Sequence, residues 1–284
     1  MPDFAIERID MQPGMLEQVR TALPDNDPYR SIIEEHRLEL RAHHHPITFM
    51  AMKDGAPIAY ALVCQLAHKP EAVLDIVVPP EPNEEAITRA LLEHVLDETI
   101  VPISWWTRTP RLLDSEAIAA DYGGQPHRKV LRMERSIDER IVTSLETHGF
   151  TDEEATEIVR INNEAFAGHP DRAHLTEDDV HEKLRVLGNR YEDLRVTEGG
   201  FCWTKRHTAA ESELFVLAID NAHRHHGLGE QLLLATLEYI RTNHRVKRAS
   251  LYVEHDNTRA ITLYERNDFR ESGESLHSML IPAR

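Results

Sequence analysis
Two cysteines, Cys64 and Cys202, are all that this 284-residue chain contains, and no Cys-x-x-Cys pair occurs. That argues against a disulfide framework or a zinc ribbon and fits a reducing compartment. No run of about 18 or more apolar residues is present to span a bilayer. The opening MPDFAIERID lacks the basic and apolar regions of a secretory leader, so a cytoplasmic chain is expected. Basic side chains are also short: 32 Lys and Arg stand against 49 Asp and Glu, a formal net charge of -17. Phosphate backbones and anionic lipid are held by clustered Lys and Arg, which makes nucleic acid and membrane poor partners. A small-molecule partner and a monomer are expected instead.

Apolar residues make up 41% and charged residues 29%, the balance of a folded chain with a core. Its length suits two domains of about 100–150 residues each, and the pattern reads as one plan used twice. In the first half LDIVV (74–78) is a buried strand, and Ile87, Leu91 and Val95 mark a helix face. ISWWT (103–107), AIAADYGG (117–124) and KVLRMERS then read as strand, short helix and strand. In the second half LFVLAI (214–219) is a strand, and Leu233, Leu237 and Ile240 mark a helix face. ASLYVE (249–254), a short helix from Asn257 through Tyr264 and SLHSMLI complete it. Each half carries a hairpin before its central strand, around Asp54-Gly55 and around Gly199-Gly200. The boundary is expected within 138–152, giving domains 1–140 and 150–284.

The stretch ELFVLAIDNAHRHHGLGE (213–230) runs from strand through a glycine-bearing loop into a helix. Free N–H groups and the positive dipole end make such a helix start an anion site, and glycine admits close approach of a pyrophosphate. Arg224 and the neighbouring histidines can add positive charge. Taken alone, a glycine pair here more often marks an ordinary turn.

Arg224-His225-His226-Gly227-Leu228-Gly229 resembles the cofactor motif of the GNAT acetyltransferases, and LYVEHDNTRAITLYERNDF (251–269) resembles the family's second motif. The spacing of the two motifs also matches, and the resemblance covers about residues 150–284. It implies an α/β fold of two tandem GNAT domains, each a mixed, mostly antiparallel sheet flanked by helices. It also implies direct N-acetyl transfer from acetyl-CoA, without an acyl-enzyme. The backbone of Leu217, Ala218 and Ile219 would hold the pantetheine arm in a gap opened by a bulge. Arg224, His225, His226, Gly227, Leu228, Gly229 and Glu230, with Asn257, Thr258, Arg259, Ala260, Ile261 and Thr262, would complete the cofactor site.

Such transfer asks for a base and an acid. The resemblance points to Glu213 as base and Tyr264 as acid. Read without it, Glu213 is as well a solvated strand-end carboxylate, with Glu211 as competitor, and Tyr264 a half-buried packing aromatic. Asn257 has the added reading of a helix cap.

INNEAFAGHPD (161–171) and FCWTK (201–205) narrow the resemblance to the mycothiol synthases, tandem GNAT enzymes that acetylate the cysteinyl amine of cysteinyl-glucosaminyl-inositol. By position, substrate contacts would fall on Asp171, Lys205, Glu213 and Tyr252, and on Glu34 (or Glu35) in the first half. Trp203 offers a sugar-facing wall or, more simply, a core residue. Departures are visible: Arg172-Ala173-His174-Leu175 follows Asp171 where the family has Gln-Gly-Gly-Trp, and His225 and His226 stand where Arg is commoner. VVPPEPNEEAIT (77–88) has no glycine, and its Pro and Glu residues remove N–H groups and repel phosphate. The first half is therefore expected to be catalytically dead, poor at CoA binding, and a wall for the acceptor pocket. Three consecutive histidines, His43-His44-His45, point in different directions without a carboxylate or thiol at ligand spacing, so a solvated loop and no metal are expected.

Overall fold
The apolar periodicities of the sequence become buried faces in a computed structural model that describes residues 3–10, 12–25, 27, 29–30, 32–33, 36, 46–65, 70–80, 82–109, 114–169, 174–186 and 190–284. The chain divides into Met1–Val130 with Gly273–Arg284, and Leu131–Ser272. The first unit contains β1 (Ala5–Arg8), α1 (Pro13–Ala22), β2 (Ile47–Lys53), β3 (Ala56–Cys64), β4 (Ala72–Val77), α2 (Glu84–Glu98), β5 (Ile103–Thr109) and α3 (Ser115–Asp121). Strand β6 (Gln125–Ser136) contains the division. The second unit continues with β7 (His148–Gly149), α4 (Ala155–Ala165), α5 (Glu177–Val186), β8 (Leu194–Thr197), β9 (Gly200–Arg206), β10 (Glu211–Ile219), α6 (Leu228–Tyr239), β11 (Arg248–Glu254) and α7 (Thr258–Arg266). The last strand, β12 (Arg270–Ile281), starts in the second unit and runs into the first.

This division departs from a cut within 138–152 in two respects: it falls between Val130 and Leu131, inside β6, and it returns Gly273–Arg284 to the first unit, which sequence pattern could not reveal. Ser275–Ile281 pairs antiparallel with Ile103–Thr109, and Met279 and Ile281 pack in one core cluster with Leu74, Leu91 and Trp105. Alternation along the strand shows that it pairs, not with which partner.

Each unit repeats the same sheet plan. Strands β1 to β4 are antiparallel neighbours, and β4 then runs parallel to β5 across the α2 crossover. Strands β7 to β10 are likewise antiparallel, and β10 runs parallel to β11 across α6. The β2–β3 turn has positive φ at both Asp54 and Gly55, the mirror-image turn that suits strand twist. In the other hairpin Thr197 pairs with Gly200, so the turn is Glu198-Gly199, one residue earlier than the glycine pair suggests.

Ile87, Leu91 and Val95 on α2, and Leu233, Leu237 and Ile240 along α6 and its last turn, are all buried, as their spacing requires. Each such side chain contributes about 1.5–3 kcal/mol of burial. At its end α6 widens into a π-turn over Ile240–His244, and Arg245 closes it in the left-handed region. The π-turn carries His244 inward, where Nε2 donates to Asp193 Oδ1 at 2.7 Å and Nδ1 lies 2.9 Å from the Ser212 hydroxyl. All three groups are buried, so this chain braces the start of β10 rather than meeting a ligand.

Candidate active site
The parallel pairing of β10 with β11 joins Glu211 to Arg248, Ser212 to Ala249 and Glu213 to Ser250, and ends there. On its other side β10 stays paired with β9 as far as Ile219–Gly200, with a register shift between Leu214 and Val216. The extra residue, Phe215, resets the alternation: Leu214 and Leu217, three apart, belong to the α6 side, whereas Val216 and Ala218 belong to the α4 side. Past Glu213 the two parallel strands therefore part. The edge of β10 that faces the gap carries peptide groups outside any ladder, suited to an amide chain laid in as an added strand. Leu217, Ala218 and Ile219 form that edge, with the Ile219 carbonyl accepting from Arg224 Nε at 3.2 Å.

Glu213 stands at the point of divergence and is only 6% exposed. One carboxylate oxygen lies 2.5 Å from His207 Nε2. Lys205 is its register partner on β9 and Ser250 its partner on β11. Side chains alternate along strands, so Glu213, Lys205, Ser250 and Tyr252 belong to one sheet face. Glu211 shares that face but is occupied: it accepts from Arg132 Nη2 at 2.5 Å and from the Ser250 hydroxyl at 2.7 Å. Burial pushes its carboxyl up, but Ser250 and Arg132 outweigh that and hold it below the usual range. Of the two acids, Glu211 is a structural ion-pair member and Glu213 is paired with a histidine.

Asp220 closes β10 and organises the loop that follows it. Its backbone N–H donates to Gly199 at 3.0 Å, its Oδ1 accepts from the His223 N–H and ring at 2.9 and 2.7 Å, and Arg160 reaches Oδ2 at 3.1 Å. Burial raises its carboxyl, yet His223 and Arg160 prevail and keep it low. Gly199 is required here twice, by its positive φ and because a Cβ would lie 2.2 Å from His223 Nδ1. Next along the loop, His225 is held at positive φ, and His225 and His226 are exposed. Gly227, with φ 81°, caps α6, and a Cβ there would meet nothing nearer than Gln231 Nε2 at 3.8 Å. The first-turn N–H groups at Leu228, Gly229 and Glu230 lack intrahelical acceptors by helix geometry and face a backbone-only approach. The Glu230 carboxylate itself accepts from Asn267 Nδ2 at 3.1 Å, tying α6 to the end of α7.

Asn257 caps α7 as read, accepting the Ala260 N–H at 3.1 Å. Thr258 and Arg259 are exposed, and Ala260, Ile261 and Thr262 half-buried. Tyr264 is half-buried with its ring 5.8 Å from that of Phe269. Trp203 is no sugar wall: it is 1% exposed and packs edge-on to Phe215 in the α4-side core. Glu34, Glu35, Asp171 and His43-His44-His45 lie outside the described residues. Sequence reading missed His207, Asp220 and His223. His207 was within reach, because alternation across the β9–β10 hairpin puts 205, 207, 211 and 213 on one face. The Asp220–His223 pair depends on loop geometry that no period encodes.

These features suit an extended amide chain that ends in an anion, with open peptide edges in the gap for the chain and a glycine-capped helix start beyond it for the anion. Among the described residues no helix is long and apolar enough to cross a membrane. The acetyltransferase (GNAT) family model matches residues 155–269. The chain is 30% identical over 281 residues to a mycothiol acetyltransferase of Clavibacter michiganensis, covering 93% of this chain and 89% of that one. It is 32% identical over 228 residues to a mycothiol acetyltransferase of Acidimicrobium ferrooxidans, covering 71% and 72%. Among solved structures, a tandem GNAT protein from the clavulanic acid biosynthesis pathway aligns over 99% of both chains with TM-score 0.76 at 16% identity. A GCN5-related N-acetyltransferase from Sphaerobacter thermophilus covers 99% of this chain and 97% of its own with TM-score 0.72 at 17% identity.

Proposed function
The chain belongs to the mycothiol acetyltransferases of the GNAT family, and from that premise we propose that it acetylates the cysteinyl amine of cysteinyl-glucosaminyl-inositol with acetyl-CoA. The observation that carries the reading is the Glu213–His207 pair at the point where β10 and β11 part. In this reading the thioester of acetyl-CoA supplies the acetyl carbon that the amine attacks.

Glu213 takes the proton that the amine must lose. Its burial shields it from bulk water, and His207 fixes the orientation of the carboxylate. An α-amine has an ordinary pKa of about 7.7–8.0, so part of the acceptor is already neutral near pH 7 and the base has modest work. Tyr264 donates its hydroxyl proton toward the leaving thiolate sulfur. Leu217, Ala218 and Ile219 align the pantetheine arm through their backbone, and residues 224–230 with 257–262 receive the remainder of the cofactor. Lys205 and Tyr252, on the Glu213 face, meet the hydroxyls of the polyol, with Asp171 and Glu34 as further contacts.

The test is product analysis. The chain is incubated with acetyl-CoA and a panel of small amines that includes cysteinyl-glucosaminyl-inositol, and acetylated products are followed by mass spectrometry. N-acetylation of the cysteinyl compound, reduced in Glu213→Gln and Tyr264→Phe, is the expected result. Efficient acetylation of another amine with this one ignored would overturn the substrate assignment and leave the chemistry standing. Binding of CoA without turnover on any amine would overturn the enzyme reading.

A further inference from the structure
On α4 the positions 157, 160 and 164 fall on one helix face and carry Glu, Arg and Glu. Arg160 binds Glu157 through Nε and Nη2 at 2.8 and 2.6 Å, and Glu164 through Nη1 at 2.7 Å, which fixes the orientation of its fork. That face grips the loop between β10 and α6 at two consecutive residues. Arg160 Nη2 donates to Asp220 Oδ2 at 3.1 Å, and Glu164 Oε1 accepts the Asn221 N–H at 3.1 Å. The β8–β9 turn holds the same loop from its other side. The Gly199 carbonyl accepts the Asp220 N–H at 3.0 Å, and the His223 ring lies so close to Gly199 that a Cβ there would be 2.2 Å from Nδ1. His223 is in turn bound by Asp220 Oδ1, through its N–H at 2.9 Å and its ring at 2.7 Å.

A carboxylate is an unexpected anchor in this place. Asp220 is 5% exposed and heads the loop whose far end offers the first-turn N–H groups of α6 to an anion, so its charge opposes that anion. Turns of this kind are served by asparagine as well as by aspartate. What asparagine lacks is a charged acceptor for Arg160 and for the His223 ring, and charge-assisted bonds are the shorter and stronger ones. The loop has use for such a grip. Past the clamp the backbone adopts positive φ at His225 (65°) and again at Gly227 (81°). A non-glycine residue stays in that region only where its surroundings hold it. The clamp at 220, 221 and 223 supplies that hold immediately before His225.

We propose that Arg160 and Asp220 are positioning residues for the phosphates of coenzyme A: their clamp keeps residues 221–227 in the one form that presents the start of α6. The proposal rests on the reading of residues 224–230 as a coenzyme A site, and calorimetric titration of the full chain with coenzyme A tests the two separately. A ligand that binds one form of a loop has its apparent Kd raised by the inverse of that form's population. Asp220→Asn, with the held form reduced to about a tenth, should weaken coenzyme A about tenfold, and Arg160→Met about threefold. The sign is decisive, because a carboxylate acting through its charge alone would, once neutralised, bind the anion more tightly. Pantetheine, which ends before the phosphates, should give the same saturation-transfer NMR signal with the parent and both variants. Arg160 is half-exposed, so Arg160→Met should melt within about 4 °C of the parent and its weakened binding cannot be ascribed to unfolding. Unchanged or tighter coenzyme A binding in Asp220→Asn, or a loss shared equally by pantetheine, would overturn the positioning role and leave the cofactor site standing. Absence of coenzyme A binding by the parent would overturn the cofactor site, and the positioning role with it.

Discussion

Exchanging Glu213 and Glu211 for glutamine, one at a time, separates chemistry from scaffolding within one strand. Glutamine keeps the shape of each side chain and deletes its charge. At 213 the loss falls on a buried carboxylate with His207 at 2.5 Å. General-base catalysis contributes about 10²–10⁴ in rate. The lower end is expected here, because with an amine pKa of about 7.8 about 14% of the acceptor is already neutral at pH 7. Raising the pH to 9 makes about 94% neutral, so pH alone can return at most about sevenfold of the loss. Glu213→Gln should thus lose about 10² in kcat at pH 7, keep a deficit of at least tenfold at pH 9, and melt within a degree or two of the parent.

At 211 the carboxylate holds Arg132 at 2.5 Å and the Ser250 hydroxyl at 2.7 Å, with Arg248 at 4.0 Å. Charge-assisted bonds of this kind are worth about 1.5–3 kcal/mol, which lowers the melting temperature by about 5–10 °C in a unit of this size. Its kcat below the transition should stay within about threefold, a difference of under 0.7 kcal/mol. The assays are acetylation followed by mass spectrometry at both pH values, and thermal unfolding followed by circular dichroism. Undiminished kcat in Glu213→Gln, or a large kcat loss without thermal cost in Glu211→Gln, would refute the assignment of the two roles.

Tyr264→Phe should lower kcat by about 10², the low end of the range of a lost acid catalyst, while the KM for acetyl-CoA stays within about twofold; initial-rate kinetics read both. Acid stability follows from Asp193, Glu211 and Asp220, all held below their ordinary values. The unfolded chain takes up protons that the folded one refuses, so their contribution is full above about pH 5 and drains away as pH falls through the folded values. Urea midpoints should drop steeply below that pH, and Asp193→Asn should flatten the fall. Burial pushes the Cys202 thiol up to about 12. Iodoacetamide at pH 8 should therefore leave it unmodified until the protein unfolds, as peptide mass mapping would show.

Much of this architecture was legible because burial enforces period. The helix faces at Ile87, Leu91 and Val95 and at Leu233, Leu237 and Ile240 needed only counting. Asp54-Gly55 announced its hairpin, and Asn257 its cap. The loop before α6 was visible through Gly227 and the helix behind it. Other features depend on three-dimensional events without a local signature. A one-residue bulge at Phe215 decides which side chains of β10 face which layer. The clamp of Asp220 on His223 arises from a loop fold, and the destination of the last strand from pairing across a large separation in sequence.

That last strand sets the order in which the molecule can be finished. Ile103 waits for Ile281, and Thr109 for Ser275, before β5 gains its second neighbour. A ribosome must deliver the whole of Leu131–Ser272 in the meantime. The second unit thus has its complete chain while the first still presents an open sheet edge, the kind of edge that invites pairing with a foreign strand. Closing it with Ser275–Ile281 makes the first unit wait for residues that follow the whole of the second. A chain that stops before Ser275 would fail first in the half that was synthesised first.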